Sequence, residues 1–121
     1  MSPVAQQQMA KLESFVPAVG RLNSLVEQFA VAKTGHDNFK GMIKRTAGQS
    51  KLTFMTSGLD QLSQLCGAIE MAAARGGSTS MQARTFRELV GSLKFQLEFA
   101  MRTVIREDAE AQMAKKRKHA E

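Results

Sequence analysis

The sequence of 121 residues has no tryptophan, no tyrosine, two prolines and one cysteine, Cys66. A single cysteine excludes an intramolecular disulfide and a metal cluster built from cysteines. Both prolines lie within the first 17 positions, so no proline interrupts the later segments. No apolar run approaches the roughly 20 residues that span a bilayer, and the N-terminus lacks the apolar run of a signal peptide. These absences predict a cytoplasmic protein with no membrane span.

Leucine, methionine, valine and phenylalanine supply most of the bulky apolar residues, and hydrophobic residues make up 43% of the chain. That fraction is ordinary for a folded protein, and the length suits one domain with one core. Straight-chain residues lose little rotamer freedom in a helix, so the composition favours an all-α fold. Cys66 lies among Leu62, Leu65 and Ile69, which predicts a buried small hydrophobe rather than a reactive thiol.

The formal net charge is +6, which favours acidic partners such as nucleic acid, an anionic membrane surface or an acidic protein pocket. The charge is uneven, because Lys115, Lys116, Arg117 and Lys118 supply four of the positive charges near the C-terminus. We therefore expect a helical domain over residues 1–106 and a charged, mobile tail over residues 107–121.

Apolar residues recur at the three-and-four spacing of a helix face along most of the chain. A short amphipathic stretch covers residues 4–13, and longer segments follow, separated by Thr34-Gly35, by Ser57-Gly58 and by a turn over residues 75–78. The fourth segment runs from Leu59 to about Arg75. The predicted inward residues are Phe15, Val19, Leu22, Val26, Phe29, Ala30, Phe39, Met42, Ile43, Thr46, Ala47, Ser50, Phe54, Leu59, Leu62, Leu65, Cys66, Ile69, Ala73, Phe86, Leu89, Val90, Leu93, Leu97, Ala100, Val104 and Ile105.

Polar residues at the segment starts predict helix caps. Ser14 is expected to cap the second segment, with Pro17 in its first turn. Asp37 or Asn38 is expected to cap the third, and Thr79 with Gln82 fits a capping box at the start of the fifth. Because the connections are short, neighbouring helices should be antiparallel. The expected fold is an antiparallel four-helix bundle with a short extra N-terminal helix.

The sequence contains no motif of a known active site. His36 and His119 are its two histidines, and neither belongs to a zinc-binding H-E-x-x-H pattern. A phosphate-binding Walker loop and a nucleophile elbow are missing as well. Carboxylates at helical spacing, such as Glu107 and Glu110, are typical of a solvated face. We therefore expect no catalytic residue, metal ligand or cofactor, and a protein that is not an enzyme.

A basic face is the most specific feature of the third segment. Lys40, Lys44, Gly48 and Lys51 share one side of a helix, and Arg45 flanks them. Such a face is either an ordinary solvated surface or a surface for an acidic partner. In the second case Gly48, with no side chain, would permit close approach.

Residues 48 to 77 read GQSKLTFMTSGLDQLSQLCGAIEMAAARGG, which resembles the central part of a histidine-containing phosphotransfer domain. That family has a His-x-x-Lys-Gly motif on an exposed helix face, then a glycine, a leucine-rich helix and a small-residue turn. The residues that match this pattern are Lys51 as the motif lysine, Gly58 as the later glycine, Leu62 and Leu65 as the leucines, Ile69-Glu70 as a Leu–Glu pair, and residues 72 to 77 as the turn. About a quarter of the chain is covered directly.

The chain departs from the family at two motif positions. Gly48 stands where the family has its phosphorylated histidine, and Leu52 stands where it has the motif glycine. Glycine has no nucleophile, so the resemblance implies a degenerate domain that docks on a partner without accepting a phosphoryl group. The implied partner is a response-regulator receiver domain, with its acidic phosphoacceptor pocket, or a histidine kinase.

The leading hypothesis is therefore a non-catalytic signalling adaptor. The predicted binding residues are Lys40, Lys44, Arg45, Gly48, Gln49 and Lys51. One alternative is a nucleic-acid-associated helical protein that uses the basic face and tail. The other is a phosphocarrier through His36, because residues 36 to 41, HDNFKG, match the family motif with one residue too many.

Overall fold

The described part of the chain is helical throughout, apart from short connections. The computed structural model describes residues 1–120, with side chains through His119, and Glu121 of the predicted tail lies outside the described residues. The helices are α1 (Pro3–Glu13), α2 (Val16–Val31), α3 (His36–Thr56), α4 (Asp60–Ala74) and α5 (Thr79–Ala120). Residues 1–120 contain no strand, so the prediction of an all-α fold is confirmed.

Helices α2 to α5 form a four-helix bundle. Each helix packs on its neighbours in sequence, and α5 returns to pack on α2, so that α3 and α5 occupy diagonal corners. Helix α1 packs along α5. The arrangement confirms the predicted four-helix bundle with a short extra N-terminal helix, and its short connections make successive helices antiparallel.

The apolar stripes of the helices meet in one core. Leu62, Leu93 and Leu97 are buried there as predicted, and so is Cys66. Other predicted inward residues are half-buried at the margin of the core, namely Ala30, Phe39, Leu59, Leu65, Leu89, Ala100 and Val104.

Two predicted core residues are exposed instead. Met42 is turned to solvent because the buried stripe of α3, marked by Ile43 and Ala47, is narrower than expected. Ile105 is exposed because its neighbour Val104 takes the inward position near the end of the bundle. In both cases the predicted apolar stripe included one residue at its edge that the neighbouring helices do not cover.

The start of α2 differs from the predicted cap. The Ser14 hydroxyl donates to the carbonyl of Lys11 and so completes α1. Phe15 takes the capping position of α2 without a side-chain hydrogen bond. Ser14 has helical backbone angles, so it cannot take the extended conformation that a capping serine usually adopts. Pro17 lies in the first turn of α2, as expected.

Gly35 begins α3 rather than ending α2. Helix α2 stops at Val31, and Gly35 has a φ of 76°, which favours glycine, immediately before His36. Asp37 and Asn38 therefore lie inside the first turn of α3, and neither caps it.

The predicted capping box at α5 is replaced by a single cap one residue earlier. The Ser78 hydroxyl accepts a hydrogen bond from the backbone N–H of Met81 at 3.2 Å. Thr79 is already helical, and Gln82 instead donates its side-chain amide to the carbonyl of Arg75 at 2.7 Å. Gln82 thus stabilises the turn between α4 and α5 and does not form the capping box with Thr79.

Helix α5 crosses the predicted domain boundary between residues 106 and 107 without a break. The backbone N–H of Ser2 donates to Asp108 Oδ1 at 3.0 Å, so the start of the predicted tail is tied to the N-terminus. This hydrogen bond lowers the pKa of Asp108. Helix α5 therefore continues beyond residue 106, and the division of the chain into a bundle domain and a mobile tail stays a prediction.

Candidate docking site on helix α3

At the contact between α3 and α4, a charged side chain from each helix lies over a glycine of the other helix. A Cβ atom at Gly48 would lie 2.9 Å from Glu70 Oε2, and a Cβ atom at Gly67 would lie 3.5 Å from Lys51 Cδ. Each glycine precedes its own helix's charged residue by three positions, and the helices run antiparallel. Glu70 therefore lies over Gly48, and Lys51 lies over Gly67.

Lys51 and Glu70 form an ion pair at this crossing, with Lys51 Nζ 2.8 Å from Glu70 Oε1. The Lys51 side chain is 36% exposed and the Glu70 side chain 24% exposed. Glu70 Oε1 accepts no directed hydrogen bond from the described residues, so the contact with Lys51 is ionic. Because both groups are partly removed from water, the pair is screened less than a surface pair.

A shallow, open depression lies beside this pair, and we call it the α3 depression. Its volume is about 530 Å³. The residues that line it are Gly41, Lys44, Arg45, Gly48, Gln49, Lys51, Leu52 and Glu70. Five of the six predicted binding residues are therefore brought together, as the spacing on one helix requires.

Lys44 and Arg45 are the cations available at the α3 depression. Both are exposed, and neither forms an ion pair or side-chain hydrogen bond with another described residue. Lys51 is in a different state, because its charge is already offset by Glu70. An acidic ligand would therefore be attracted mainly by Lys44 and Arg45.

Lys40, the sixth predicted binding residue, forms a hydrogen bond within the bundle instead. Its Nζ donates to the carbonyl of Arg75 at 3.0 Å, where α4 ends. A positive charge at this place also interacts favourably with the negative, C-terminal end of the α4 dipole. Lys40 is not among the residues that line the depression.

Glu70 is the site residue that sequence reasoning missed. The family resemblance placed it in a Leu–Glu pair and gave it no contact with the basic face. The available signal was the matched spacing of Gly48-x-x-Lys51 and Gly67-x-x-Glu70 on two helices expected to be antiparallel. A side chain at position 48, including histidine, would have to displace the Glu70 carboxylate.

His36 lies at the end of the bundle, away from the depression. It is the first residue of α3, and its ring meets Phe29 edge-on with centroids 5.4 Å apart. Gly48 is twelve positions further along α3, or about 18 Å at the helical rise. The two motif-like stretches therefore belong to different places on the surface.

A larger groove of about 630 Å³ runs between α1, the start of α4 and the middle of α5. Its floor includes Leu12, Leu62 and Ala100, and its margin carries Asp60 and Glu107. Lys11 is the cation that lines it. Because acidic groups outnumber basic ones there, this groove does not suit an acidic partner.

Cys66 is fully buried beneath the α3–α4 contact. Burial, with a smaller contribution from the nearby Glu70 carboxylate, raises the pKa of the Cys66 thiol to about 12. The predicted interpretation of Cys66 as a buried small hydrophobe is confirmed.

The Cys66 thiol is expected to resist a disulfide reagent such as Ellman's reagent in the native protein at about pH 8, where its thiolate is scarce. In denaturant the same thiol should react fully and quickly. The measurement is the absorbance of the released thiolate over time. Fast, complete reaction of the native protein would show that Cys66 is accessible.

No protein-family model, curated protein or solved structure matches this chain. Within residues 1–120, no helix is both long enough and apolar enough to cross a membrane. The same residues contain no group of three or more side chains placed to hold a metal ion.

Proposed function

We propose that this chain is a non-catalytic signalling adaptor that docks through the α3 depression on an acidic protein pocket. The phosphoacceptor pocket of a response-regulator receiver domain has the required chemistry. The observation that carries the proposal is the pair of unpartnered cations, Lys44 and Arg45, beside a helix surface kept low by Gly48. Charge complementarity of this kind governs the rate and specificity of association.

In this proposal the chain covers the acidic pocket of the receiver domain but transfers no phosphoryl group to or from it. The α3 depression is lined by lysine, arginine, glutamine, glycine and leucine residues and by Glu70, whose carboxylate is paired with Lys51, and it contains no histidine. An acidic pocket seated on it would be covered, so that its usual phosphodonor could not approach. Binding would thus block or bias the receiver.

Lys44→Glu is expected to weaken binding of a receiver domain from the same organism by about tenfold or more, because it replaces attraction by repulsion at the contact. Arg45→Glu should act in the same direction. The measurement is a titration of labelled receiver domain by fluorescence anisotropy, at low and at moderate salt. Wild-type affinity should fall as salt rises, because exposed charges are screened.

Lys94→Glu is the matched control, since it makes the same charge change on α5, diagonally across the bundle from α3. It should bind like the wild type apart from a small effect of net charge. If Lys44→Glu and Lys94→Glu lose equal amounts of affinity, the interaction is a nonspecific electrostatic attraction. If the wild type binds no receiver domain at low salt, the proposed function is wrong.

Nucleic-acid binding is the second candidate, and one observation favours it. Helix α5 continues through Lys115, Lys116, Arg117 and Lys118, which places the basic cluster on a continuous helix. Replacing these four residues by glutamine should reduce the salt slope of duplex DNA binding by up to about four. Failure of the wild type to bind DNA or RNA at low salt would remove this candidate.

The phosphocarrier alternative depends on His36 alone. Its test is acid-labile phosphate on the chain after incubation with a phosphorylated receiver domain. Phosphate that disappears in His36→Gln would replace the adaptor proposal by phosphate transfer through His36.

A further inference from the structure

The solvent-facing side of α5 carries large apolar residues that the bundle does not cover. We call this surface the outer face of α5. It is formed by Met81, Glu88, Ser92, Phe95, Phe99, Arg102, Arg106 and Met113, all of them exposed. They lie opposite the buried stripe that includes Phe86, Val90, Leu93 and Leu97.

Two phenylalanines stand at the centre of the outer face. Phe95 is 58% exposed, and Phe99, which also lines the groove beside α1, is 52% exposed. Their rings lie nearly parallel, with centroids 6.4 Å apart and an interplanar angle of 21°. A pair of exposed aromatic rings is unfavourable in water and is typical of an interaction surface.

The spacing along the outer face is that of a two-helix seam. Met81, Glu88, Phe95 and Arg102 recur every seven residues. A second seven-residue series runs through Ser92, Phe99, Arg106 and Met113, and each of its first three members lies four residues after a member of the first series. These two series are the a and d positions of a heptad pattern, along which a second helix packs.

A second copy of α5, laid antiparallel, complements this seam. When Phe95 of one chain faces Phe99 of the other, the two-fold axis passes at the level of Leu97. Glu88, whose Oε1 lies 3.5 Å from Arg84 Nε in an exposed ion pair along its own helix, then faces Arg106 of the other chain. By symmetry the same contact with Arg106 forms again at the opposite end. The centre of the seam is aromatic, and its flanks are opposite in charge.

The ends of the seam match in the same register. Met81 of one chain comes opposite Met113 of the other, which buries the two exposed methionines against each other. A parallel arrangement would instead place Glu88 against Glu88 and Arg106 against Arg106. Like charges at facing positions repel, so the antiparallel arrangement is favoured.

We propose that the outer face of α5 is the interface of a two-fold symmetric dimer, with a second copy of this chain packed antiparallel along it. The seam from residue 81 to residue 113 is about 50 Å long at the helical rise. A strip of that length and about 10 Å wide buries about 1,000 Å² over both partners, at the lower limit of specific interfaces. The dimer is therefore concentration-dependent.

The dimer interface is independent of the proposed receiver-docking function. Helix α3 occupies the corner of the bundle diagonal to α5, so the α3 depression stays open in the dimer. Each dimer would present two such depressions on opposite sides. Loss of the dimer would leave single-site binding at the depression unchanged.

The test is sedimentation velocity of the full chain from about 1 µM to about 500 µM. The wild type should shift from monomer to dimer across this range. Glu88→Arg and Arg106→Glu should each weaken dimerisation at least about tenfold, because two-fold symmetry turns both ion pairs into repulsions.

Mixing the two variants in equal amounts should restore association as a heterodimer. In the mixed pair, the arginine introduced in one variant faces the glutamate introduced in the other. At the opposite end of the seam, the unchanged Glu88 of one chain faces the unchanged Arg106 of its partner. Both ends of the seam therefore recover an opposite pair of charges.

The control is Lys94→Glu, a charge reversal on α5 outside the seam, which should dimerise like the wild type. Circular dichroism should show the same helix content in all variants. A wild type that stays monomeric at the highest concentration overturns the proposal. So does a dimer that Glu88→Arg leaves intact, or a variant mixture that stays monomeric although the wild type dimerises.

Discussion

Leu93→Ala is expected to lower the free energy of unfolding by about 2–5 kcal/mol. Leu93 is fully buried, on the helix that packs against α1, α2 and α4. The substitution removes buried methyl groups and leaves a cavity that rigid helices fill only in part. Small domains are stable by about 5–15 kcal/mol, so the loss is a large share of the total. Urea denaturation followed by circular dichroism gives the value.

Leu52→Ala is the matched control for this prediction. Leu52 is 60% exposed on α3, so its truncation removes little buried area and should change stability by less than about 0.5 kcal/mol. A similar cost for both substitutions would contradict the bundle as described. A negligible cost for Leu93→Ala would place Leu93 outside the core.

Lys51→Glu is expected to destabilise the protein by about 1–3 kcal/mol, while Lys44→Glu should change stability very little. The first substitution replaces an ion pair with Glu70 by two carboxylates at a partly buried place. The expected cost lies between that of losing an exposed pair and that of breaking a fully buried one. Thermal and urea unfolding of the two variants measure the difference.

The charge-swapped variant Lys51→Glu with Glu70→Lys separates charge from packing. It restores an opposite pair across the α3–α4 contact, where both side chains lie over a glycine. Recovery of at least half the lost stability is expected, because residues in direct contact are energetically coupled. A double variant as unstable as the sum of its parts would show that Lys51 and Glu70 do not interact.

Lys44 and Lys51 play different roles on the basic face. From the sequence alone, Lys44 and Lys51 are equivalent members of one helix stripe, and reversing either charge should weaken binding without affecting the fold. The ion pair with Glu70 makes Lys51 a stabilising residue as well as a lining residue. A binding loss in Lys51→Glu therefore mixes two causes, and Lys44→Glu is the informative variant.

The architecture was predictable because it depends on periodicity. Apolar residues repeat at helical spacing along each of the four long helices, and the four stripes, which include Leu22, Ile43, Ile69 and Leu93, can be buried only against one another. Short connections then leave the antiparallel bundle as the simple arrangement. Met42 and Ile105 were misplaced because a stripe's edge depends on how close the neighbouring helices lie, which the pattern alone does not contain.

The helix ends were less predictable, because several residues compete for each cap. Ser14 completes α1 instead of starting α2, and Gly35 precedes α3 instead of ending α2. Ser78 takes the cap assigned to Thr79. In each case the correct residue lies within three positions of the predicted one, and the local sequence permits both choices.

The candidate site was only half predictable. Lys44, Arg45, Gly48, Gln49 and Lys51 follow from the geometry of a single helix, so their meeting at one depression could be foreseen. The role of Glu70 depends on the register between α3 and α4, and that of Lys40 depends on where α4 ends. Such contacts between elements require the tertiary structure.

The most direct test of the proposed docking site is an NMR titration of the isotope-labelled chain with an unlabelled receiver domain. The largest amide shift changes are expected at Gly41, Lys44, Gly48 and Gln49, with none of comparable size in α5. Lys44→Glu should reduce these changes at equal receiver concentration, and Lys94→Glu should not. Changes centred on α5, or no changes at low salt, would contradict docking through the α3 depression.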